Sequence, residues 1–374
     1  MMTLGDIFRR YGPQYRARFG HQMSSDQHAA MRAIETCRTE ALGGHVYSCP
    51  ACATTRYTYH SCRNRHCPTC QHSASQTWLA QQQELLLPVP YFLVTFTLPA
   101  GLRTVARQHP RTLYSLLFLA SAAALQQLAQ DPRFLGGQIG MLGVLQTWTR
   151  DLRYHPHVHY LVPALALAPD GKKWIVGRRS FLVHSKPLAL LFRAKFRAAL
   201  RQTALYREVS AESWTQSWVV DCRAVGSGQA ALKYLAPYIF RVALSNNRIE
   251  RVADDQVTFR YTEAATGQLK RCTLGVNRFI GRFLQHVLPK EFVKVRYYKL
   301  LRVSNRGLLD LARAILAPPA AMETAATLAP ASLSVPPIPV ALRCPSCGQP
   351  MLMVQTLAHQ SRAPPTRPSE TDVR

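Results

Sequence analysis

The sequence predicts an α+β protein in which a small cysteine-rich module precedes a larger domain with a central, largely antiparallel sheet flanked by helices. Three observations support this class. Six of the ten cysteines fall between residues 37 and 70. Between residues 88 and 305, strand-like segments rich in β-branched and aromatic residues alternate with longer helical patterns. The apolar fraction of 47% is that of an ordinary globular chain, which excludes an intrinsically disordered protein.

The predicted elements follow one another in this order. Residues 1–36 form an N-terminal helical segment with two helix-like stretches, the second of which opens on a serine suited to cap it. In the larger domain, strands are predicted at 91–99, 138–148, 155–167, 217–222 and 255–262. Helices are predicted at 111–130, 186–206, 228–245 and 277–288. The predicted division of the chain is 1–36, a zinc-binding domain at 37–87, the larger domain at 88–305, a helix with a Pro/Ala-rich linker at 306–341, and a Cys-x2-Cys element with a disordered tail at 342–374.

The chain is strongly basic. It has 46 Lys and Arg residues against 20 Asp and Glu, a formal net charge of +26 and a pI near 10.2. Such an excess is typical of a protein that meets a polyanion, and nucleic acid is the commonest one. We find no basic amphipathic helix for a membrane surface, no apolar run long enough to span a bilayer and no signal peptide. We therefore expect a cytoplasmic protein that binds nucleic acid and no membrane.

The cysteine spacing predicts metal binding, because clustered cysteines in a reducing compartment are more often ligands than disulfides. Cys49-x2-Cys52 and Cys67-x2-Cys70 form two knuckles that together could grip one Zn²⁺ tetrahedrally. The structural alternative is a set of reduced core cysteines. Enough candidates remain for a second tetrahedral site, namely Cys37, His45, Cys62 and one of His60 or His66.

Two further features accompany this block. Arg63, Asn64 and Arg65 lie between the candidate ligands and are suited to contact phosphate. Cys344 and Cys347 form an isolated Cys-x2-Cys pair near the C-terminus. This pair either completes a site with distant residues or is vestigial.

Histidines alternate in the stretch DLRYHPHVHYLVP at 151–163. Successive side chains of a strand point to opposite faces, so His155, His157 and His159 would lie in a row on one side. Neutral imidazole is a common metal ligand and a poor choice for a dry core. The row therefore indicates a metal site, and the structural alternative is an exposed edge strand.

Two tyrosines stand four residues apart in the stretch KYLAPYIFRVALSNNRI at 233–249. On a helix, this spacing puts the phenols of Tyr234 and Tyr238 on one face, about 6 Å apart along the axis. Aromatic core residues are the structural alternative. The neighbouring cations favour a phosphate-binding surface beside the hydroxyls, and Pro237 predicts a kink between them. These cations are Lys233, Arg241 and Arg248.

Histidines and tyrosines together suggest one chemistry. A metal held by His157 and His159 would polarise a DNA phosphate, and a tyrosine oxygen would attack that phosphate in line. The phosphotyrosine would retain the bond energy of the broken phosphodiester, so that strand transfer could follow without ATP.

The chain resembles a known family, the rolling-circle insertion-sequence transposases of the two-tyrosine HUH type, in which HUH stands for His, a hydrophobic residue and His. The resemblance rests on six motifs that occur in order: CRTEALGGHVYSCPAC, SCRNRHCPTCQ, VTFTLP, HPHVHYLV, YLAPYIFRVALSNNRI and RFLQHVLPKEFVKVRYY. It implies an N-terminal zinc-binding module and an HUH nuclease domain that nicks single-stranded DNA, leaving a 5′-phosphotyrosine and a free 3′-OH.

Residue by residue, the resemblance matches His157 and His159 to the metal pair and Tyr234 and Tyr238 to the nucleophiles. It implies Mg²⁺ or Mn²⁺ as the catalytic ion, with structural Zn²⁺ in the N-terminal module. His155 lies outside the pair, and we interpret it as a neighbour, because a third ligand more often comes from another element. The implied partner is single-stranded DNA at transposon ends and target, in a bacterial, nucleoid-associated setting.

Other classes remain open at this stage. A rolling-circle replication initiator or a conjugative relaxase would use the same residues, although the zinc module favours the transposase. A non-catalytic zinc protein could bind nucleic acid through its charge alone. A transposase with three carboxylates and two Mg²⁺ ions is disfavoured, because the chain has only 20 acidic residues and no evident triad.

Overall fold

The structure is a computed structural model that describes residues 2–240, 243–263, 266–316 and 342–359. Within these ranges the side chains of His72, Ser73, Pro237, Tyr238 and Phe240 are not described. The predicted linker at 318–341 and the tail from residue 360 onward lie outside the described residues.

Helices and strands are interspersed along the described chain. The helices are α1 Leu4–Phe19, α2 Ser25–Thr36, α3 His72–Gln83, α4 Arg103–Gln108, α5 Pro110–Gln130, α6 Ser185–Arg201, α7 Gln229–Phe240, α8 Val276–Leu284 and α9 Arg306–Leu316. The strands are β1 Gly44–Ser48, β2 Thr55–Tyr59, β3 Tyr91–Thr97, β4 Gln138–Ile139, β5 Met141–Trp148, β6 Tyr154–Pro163, β7 Leu165–Leu167, β8 Trp174–Val176, β9 Val220–Ala224, β10 Ile249–Ala253, β11 Gln256–Thr262, β12 Leu269–Gly275, β13 Val295–Tyr298 and β14 Leu352–Leu357.

The central sheet has five strands in the order β13-β5-β6-β3-β9, and every neighbouring pair is antiparallel. The prediction of an α+β protein with an antiparallel sheet and flanking helices is confirmed. Strands β3, β5 and β6 are largely buried on both faces, as expected for a sheet covered on both sides.

Each face of this sheet carries its own helices. On one face, Phe96 and Tyr160 pack with Phe192 of α6 and with the apolar side of α5. On the other face, Leu93 and Leu161 pack against the apolar side of α7, which α3 contacts in turn. The histidine row of β6 shares this second face, so the tyrosine-bearing helix and the histidines lie on one side of the sheet.

A second core joins the N-terminal helices to the region after the central sheet. Phe8 of α1 meets Phe283 of α8 edge to face, with ring centroids 5.4 Å apart. Cys37 and Cys67 lie in the same buried cluster, together with residues of the β10-β11-β12 sheet. The predicted N-terminal segment therefore packs on distant parts of the chain as well as on the cysteine-rich module that follows it. Ser24 caps α2 as predicted, with its side chain accepting from the backbone N–H of Gln27.

Several predicted boundaries shift. The strand predicted at 138–148 is interrupted at Gly140, where an added Cβ would lie 2.8 Å from the Leu300 side chain. The strand predicted at 217–222 begins at Val220, and the helix predicted at 186–206 ends at Arg201. Helix α5 is long and apolar enough to cross a bilayer, but 56% of its most apolar window is buried inside the protein. That burial is typical of a core helix.

Candidate catalytic site and metal centres

The histidine row lies in the middle of the central sheet. β3 and β5 flank β6, so that His157 stands between Thr97 and Gln146, and His159 stands between Thr95 and Val144. His157 and His159 are 8% and 5% exposed. Their rings are perpendicular, with centroids 4.7 Å apart. The sheet therefore brings the two predicted metal ligands together in a buried, fixed arrangement, and the alternative of an exposed edge strand is wrong.

Hydrogen bonds orient both imidazoles. His157 Nδ1 donates to the carbonyl oxygen of His155 at 2.6 Å, which leaves the lone pair on Nε2. His159 Nδ1 lies 2.8 Å from Thr95 Oγ1. His159 Nε2 is buried, and among the described residues it has no hydrogen-bond partner. A second interaction that fixes the ring and tautomer is typical of metal-binding histidines.

Burial keeps these histidines neutral. Burial away from solvent disfavours the charged imidazolium and lowers the pKa of His157 to about 4. The same cause, reinforced by the neighbouring His157, lowers the pKa of His159 well below its usual value. Both groups thus offer lone pairs at neutral pH, which is the state that binds metal.

Gln146 joins the histidines as a residue that the sequence did not single out. It stands directly opposite His157, donates through Nε2 to the carbonyl oxygen of Trp148 at 3.2 Å, and leaves a buried Oε1 with no partner among the described residues. A buried acceptor without a donor is costly unless something else satisfies it. Unpaired Gln146 Oε1 and His159 Nε2 fit a divalent cation, for which amide oxygen and imidazole are suitable ligands.

His155 is in a different environment at the edge of the row. Arg103 Nη2 donates to His155 Nδ1 at 2.8 Å. Burial and this guanidinium lower the pKa of His155 to about 4. A cation beside the ring opposes metal binding, which supports the interpretation of His155 as a neighbour.

Tyr234 lies on α7 above the same face of the sheet. Its ring centroid is 5.9 Å from that of His159, at an interplanar angle of 85°, and its side chain is 37% exposed. Tyr238 follows one turn later on α7, and its side chain is outside the described part of the chain. Helix α7 continues through Pro237, since it is one element from Gln229 to Phe240. The structure thus places one predicted nucleophile beside the histidines and at the surface.

The predicted DNA-binding cations have different surroundings. Lys233 and Arg63 are exposed. Arg65 instead donates to the carbonyl oxygens of Pro289 and Phe292, both at 2.6 Å. Arg248 likewise donates to the carbonyl oxygen of Arg260 at 2.8 Å. These two guanidinium groups hold backbone segments in place, which differs from the phosphate contact predicted for them.

The neighbourhood of Tyr234 contains further cations. Arg241 lies outside the described residues. A cleft of about 400 Å³ opens beside Tyr234 and is lined by Arg150 and Arg223. Neither arginine was singled out from the sequence, because an isolated arginine in a basic chain carries no signal of its own.

Eight of the ten described cysteines form two groups of four, and the pairing differs from the prediction. Cys37 and Cys62 join Cys67 and Cys70, whereas Cys49 and Cys52 join Cys344 and Cys347. The length of the β1-β2 hairpin explains why the cysteine pairing differs from the prediction. Cys37 and Cys62 flank the base of the β1-β2 hairpin, and the Cys49 knuckle forms its tip. Each strand has five residues, so the base and the tip are about 17 Å apart. One ion cannot bind both the tip knuckle and the Cys67 knuckle.

The histidines proposed as zinc ligands lie outside both cysteine groups. His66 is buried, with Nδ1 3.1 Å from Asn64 Oδ1 and Nε2 accepting from the backbone N–H of Leu288 at 3.1 Å. Both of its nitrogens therefore have partners. The His45 ring packs edge to face on that of His60, with centroids 5.0 Å apart. Each cysteine group supplies four thiols by itself, so no imidazole is needed.

Comparison with known proteins agrees with this architecture. Residues 7–98 match a family described as "Transposase zinc-binding domain", and residues 140–307 match one described as "Putative transposase". The first range contains six of the eight clustered cysteines, and the second contains the histidine row and α7. Cys344 and Cys347 fall outside both ranges.

Two known proteins align along most of the chain. It is 40% identical over 318 residues to "Putative transposase y4qJ" of Sinorhizobium fredii, which covers 80% of each protein. It is 27% identical over 344 residues to "Transposase for insertion sequence element IS801" of Pseudomonas savastanoi pv. phaseolicola, which covers 86% of this chain and 82% of that protein. No solved structure matches.

The two family matches and the cysteine groups thus define a transposase with a zinc-binding domain. The chain belongs to the family of insertion-sequence transposases with an N-terminal zinc-binding domain.

Proposed function

We propose that this transposase nicks and rejoins single-stranded DNA at the ends of its insertion sequence through a 5′-phosphotyrosine intermediate, by the HUH rolling-circle mechanism. The observation that supports this most strongly is the position of Tyr234. Its ring is 5.9 Å from that of His159, a buried imidazole whose Nε2 has no partner among the described residues. A phenol beside a divalent-ion site is what metal-assisted attack on phosphate needs.

His157, His159 and Gln146 would hold the catalytic ion, with Mn²⁺ or Mg²⁺ as the proposed metal. When bound, the ion supplies a Lewis acid for one non-bridging oxygen of the scissile phosphate. The protein contributes a rigid sheet that fixes all three side chains before DNA arrives. Thr95 acts as a positioning residue because it orients His159.

Tyr234 would be a nucleophile, with its oxygen attacking phosphorus while the 3′-oxygen of the leaving strand departs as a hydroxyl. Its partial exposure lets a single strand reach it from solvent. Arg150 and Arg223 would bind the flanking phosphates, since they line the cleft beside Tyr234. Lys233, which is exposed and precedes Tyr234 in the sequence, would add a third cation. Tyr238, one turn further along α7, would serve the second transesterification.

A labelled single-stranded oligonucleotide from the element's end tests this proposal. Wild-type protein with Mn²⁺ should form a covalent adduct that survives SDS, and the Tyr234→Phe/Tyr238→Phe double variant should form none. Tyr206→Phe is the matched control, because Tyr206 packs on the opposite side of the sheet and contacts Arg197 at 3.1 Å. DNA binding without any adduct in wild type would favour a non-catalytic zinc protein and contradict the proposal.

The substrate identifies the reaction class further. A transposase should join the cleaved end to a second DNA, whereas an initiator or relaxase should recognise a plasmid origin. Transfer of the element's end to a target oligonucleotide supports transposition, and cleavage restricted to a replication origin contradicts it. We also propose that the protein works at the bacterial nucleoid, where its DNA partner is.

A further inference from the structure

We propose that a second Zn²⁺ site joins the two ends of the chain, with Cys49 and Cys52 as one half and Cys344 and Cys347 as the other. The halves lie almost three hundred residues apart in sequence. Such a site would make the segment 342–359 an integral part of the N-terminal module. This inference does not depend on the proposed DNA chemistry.

The thiol geometry supports a metal in place of disulfides. Cys49 Sγ lies 3.4 Å from Cys347 Sγ, and Cys52 Sγ lies 3.5 Å from Cys344 Sγ. All four sulfur atoms lie within 4.8 Å of one another. A Zn–S bond of about 2.3 Å in a tetrahedron separates sulfurs by about 3.8 Å, whereas a disulfide needs about 2.05 Å. The observed spacing is close to the first value.

The two halves have the same local backbone, although they come from opposite ends of the chain. At the hairpin tip, Cys49 N donates to the Thr54 oxygen at 3.0 Å, and Ala53 N donates to the Cys49 oxygen at 2.9 Å. In the C-terminal half, Cys344 N donates to the Gln349 oxygen at 2.8 Å, and Gly348 N donates to the Cys344 oxygen at 2.9 Å.

In both halves, the fourth residue after the first cysteine of the pair has a positive φ angle, 56° at Ala53 and 75° at Gly348. Glycine adopts this left-handed conformation without strain, and alanine does so only where its surroundings enforce it. Two knuckles with one geometry, facing each other, form a symmetric four-thiolate site.

Among the described residues, the C-terminal segment has little apolar contact with the rest of the chain. β14 adds to β1 as an edge strand, but Leu352, Met353 and Val354 remain 61%, 56% and 60% exposed. The buried cluster below it consists of Cys49, Cys344 and Met351. So small an apolar contact does not offset the entropy of ordering 342–359, and a metal bound by both halves supplies the missing stabilisation.

Zinc stoichiometry of the full chain tests the proposal. Wild-type protein purified without chelator should contain two Zn²⁺ per chain, and the Cys344→Ser/Cys347→Ser variant should contain one. Cys222→Ser/Cys272→Ser is the matched control and should keep two, because both residues lie outside the cysteine groups. Two ions in the Cys344→Ser/Cys347→Ser variant would overturn the proposal. One ion in the wild type, together with two fewer free thiols than the sequence contains, would also overturn it, because it would indicate a disulfide in place of the second site.

A second measurement guards against a variant that fails to fold. A protease site inserted between residues 320 and 340 would let wild-type protein be cut after folding. The C-terminal fragment should stay with the rest on gel filtration in the zinc-loaded protein and separate after chelation. Release of the fragment from the zinc-loaded wild type would refute the joining role. Neither readout involves DNA, so DNA cleavage can fail while both succeed.

Discussion

Thr95→Val is the substitution that isolates the proposed metal site with the least disturbance. It exchanges the hydroxyl that meets His159 Nδ1 at 2.8 Å for a methyl of similar size. Valine suits a strand at least as well as threonine, and the backbone ladder to β6 is unchanged. The expected consequence is a His159 ring that is no longer fixed, in a protein that folds normally.

The expected losses of metal affinity and of folding stability follow from the single hydrogen bond that the substitution removes. Removing the partner that orients a metal-bound histidine costs about 10–100-fold in metal affinity, or about 1.4–2.7 kcal/mol. Folding loses one hydrogen bond, worth about 1 kcal/mol. His157 keeps its own bond to the His155 carbonyl oxygen, so that half of the site stays intact.

The assay is titration of Mn²⁺ into the DNA-free protein, read by the electron paramagnetic resonance of unbound Mn²⁺. Thr97→Val is the matched control, because Thr97 stands opposite His157 on the same face while His157 uses a carbonyl oxygen instead. Thr95→Val should weaken binding at least tenfold, and Thr97→Val should leave it within about twofold. Equal affinities for Thr95→Val and wild type would refute the role of His159 as an oriented ligand.

Four further predictions follow from the same geometry. Gln146→Leu should weaken Mn²⁺ binding at least tenfold without abolishing DNA binding, and unchanged Mn²⁺ affinity in the same titration would exclude Gln146 as a ligand. His155→Ala should retain measurable adduct formation while His157→Ala and His159→Ala abolish it, and identical behaviour of the three variants would contradict the neighbour role. With no added Mn²⁺, the free energy of unfolding measured in urea should fall as the pH drops from 6.5 towards 4. The reason is that His157 has a pKa of about 4 in the folded protein and therefore binds a proton more readily in the unfolded chain, which lowers the stability by about 2 kcal/mol at pH 5. A stability that does not change with pH over this range would count against the burial of His157. Single-strand affinity should fall steeply with salt for a chain of +26, and a binding constant that is independent of salt would contradict a phosphate-driven contact.

Local patterns predicted the elements that carry the site. The run YFLVTFT is mostly apolar, and it forms β3, an interior strand of the sheet. The alternation around His157 predicted a shared face, and β6 provides it. Both inferences needed only the two-residue period of a strand.

The parts that the sequence left unresolved depend on long-range packing. The cysteine pairing turns on the length of the β1-β2 hairpin and on the return of residues 342–359, which spacing alone does not reveal. Gln146 is a single glutamine in an otherwise apolar strand segment. Only its pairing with His157 across the sheet shows that it lies beside the candidate metal site. Arg65 is an ordinary basic residue in the sequence, yet its guanidinium binds carbonyl oxygens of the loop at 288–292.

Mass-spectrometric mapping of the covalent DNA adduct tests the central claim most directly. Wild-type protein would be trapped with Mn²⁺ on a single-stranded end, digested with nuclease and protease, and searched for the modified tyrosine. The proposed mechanism predicts a nucleotide remnant on Tyr234 or Tyr238, joined through a 5′-phosphate. A remnant on Tyr297 or Tyr298, or a 3′-phosphate linkage, would contradict it.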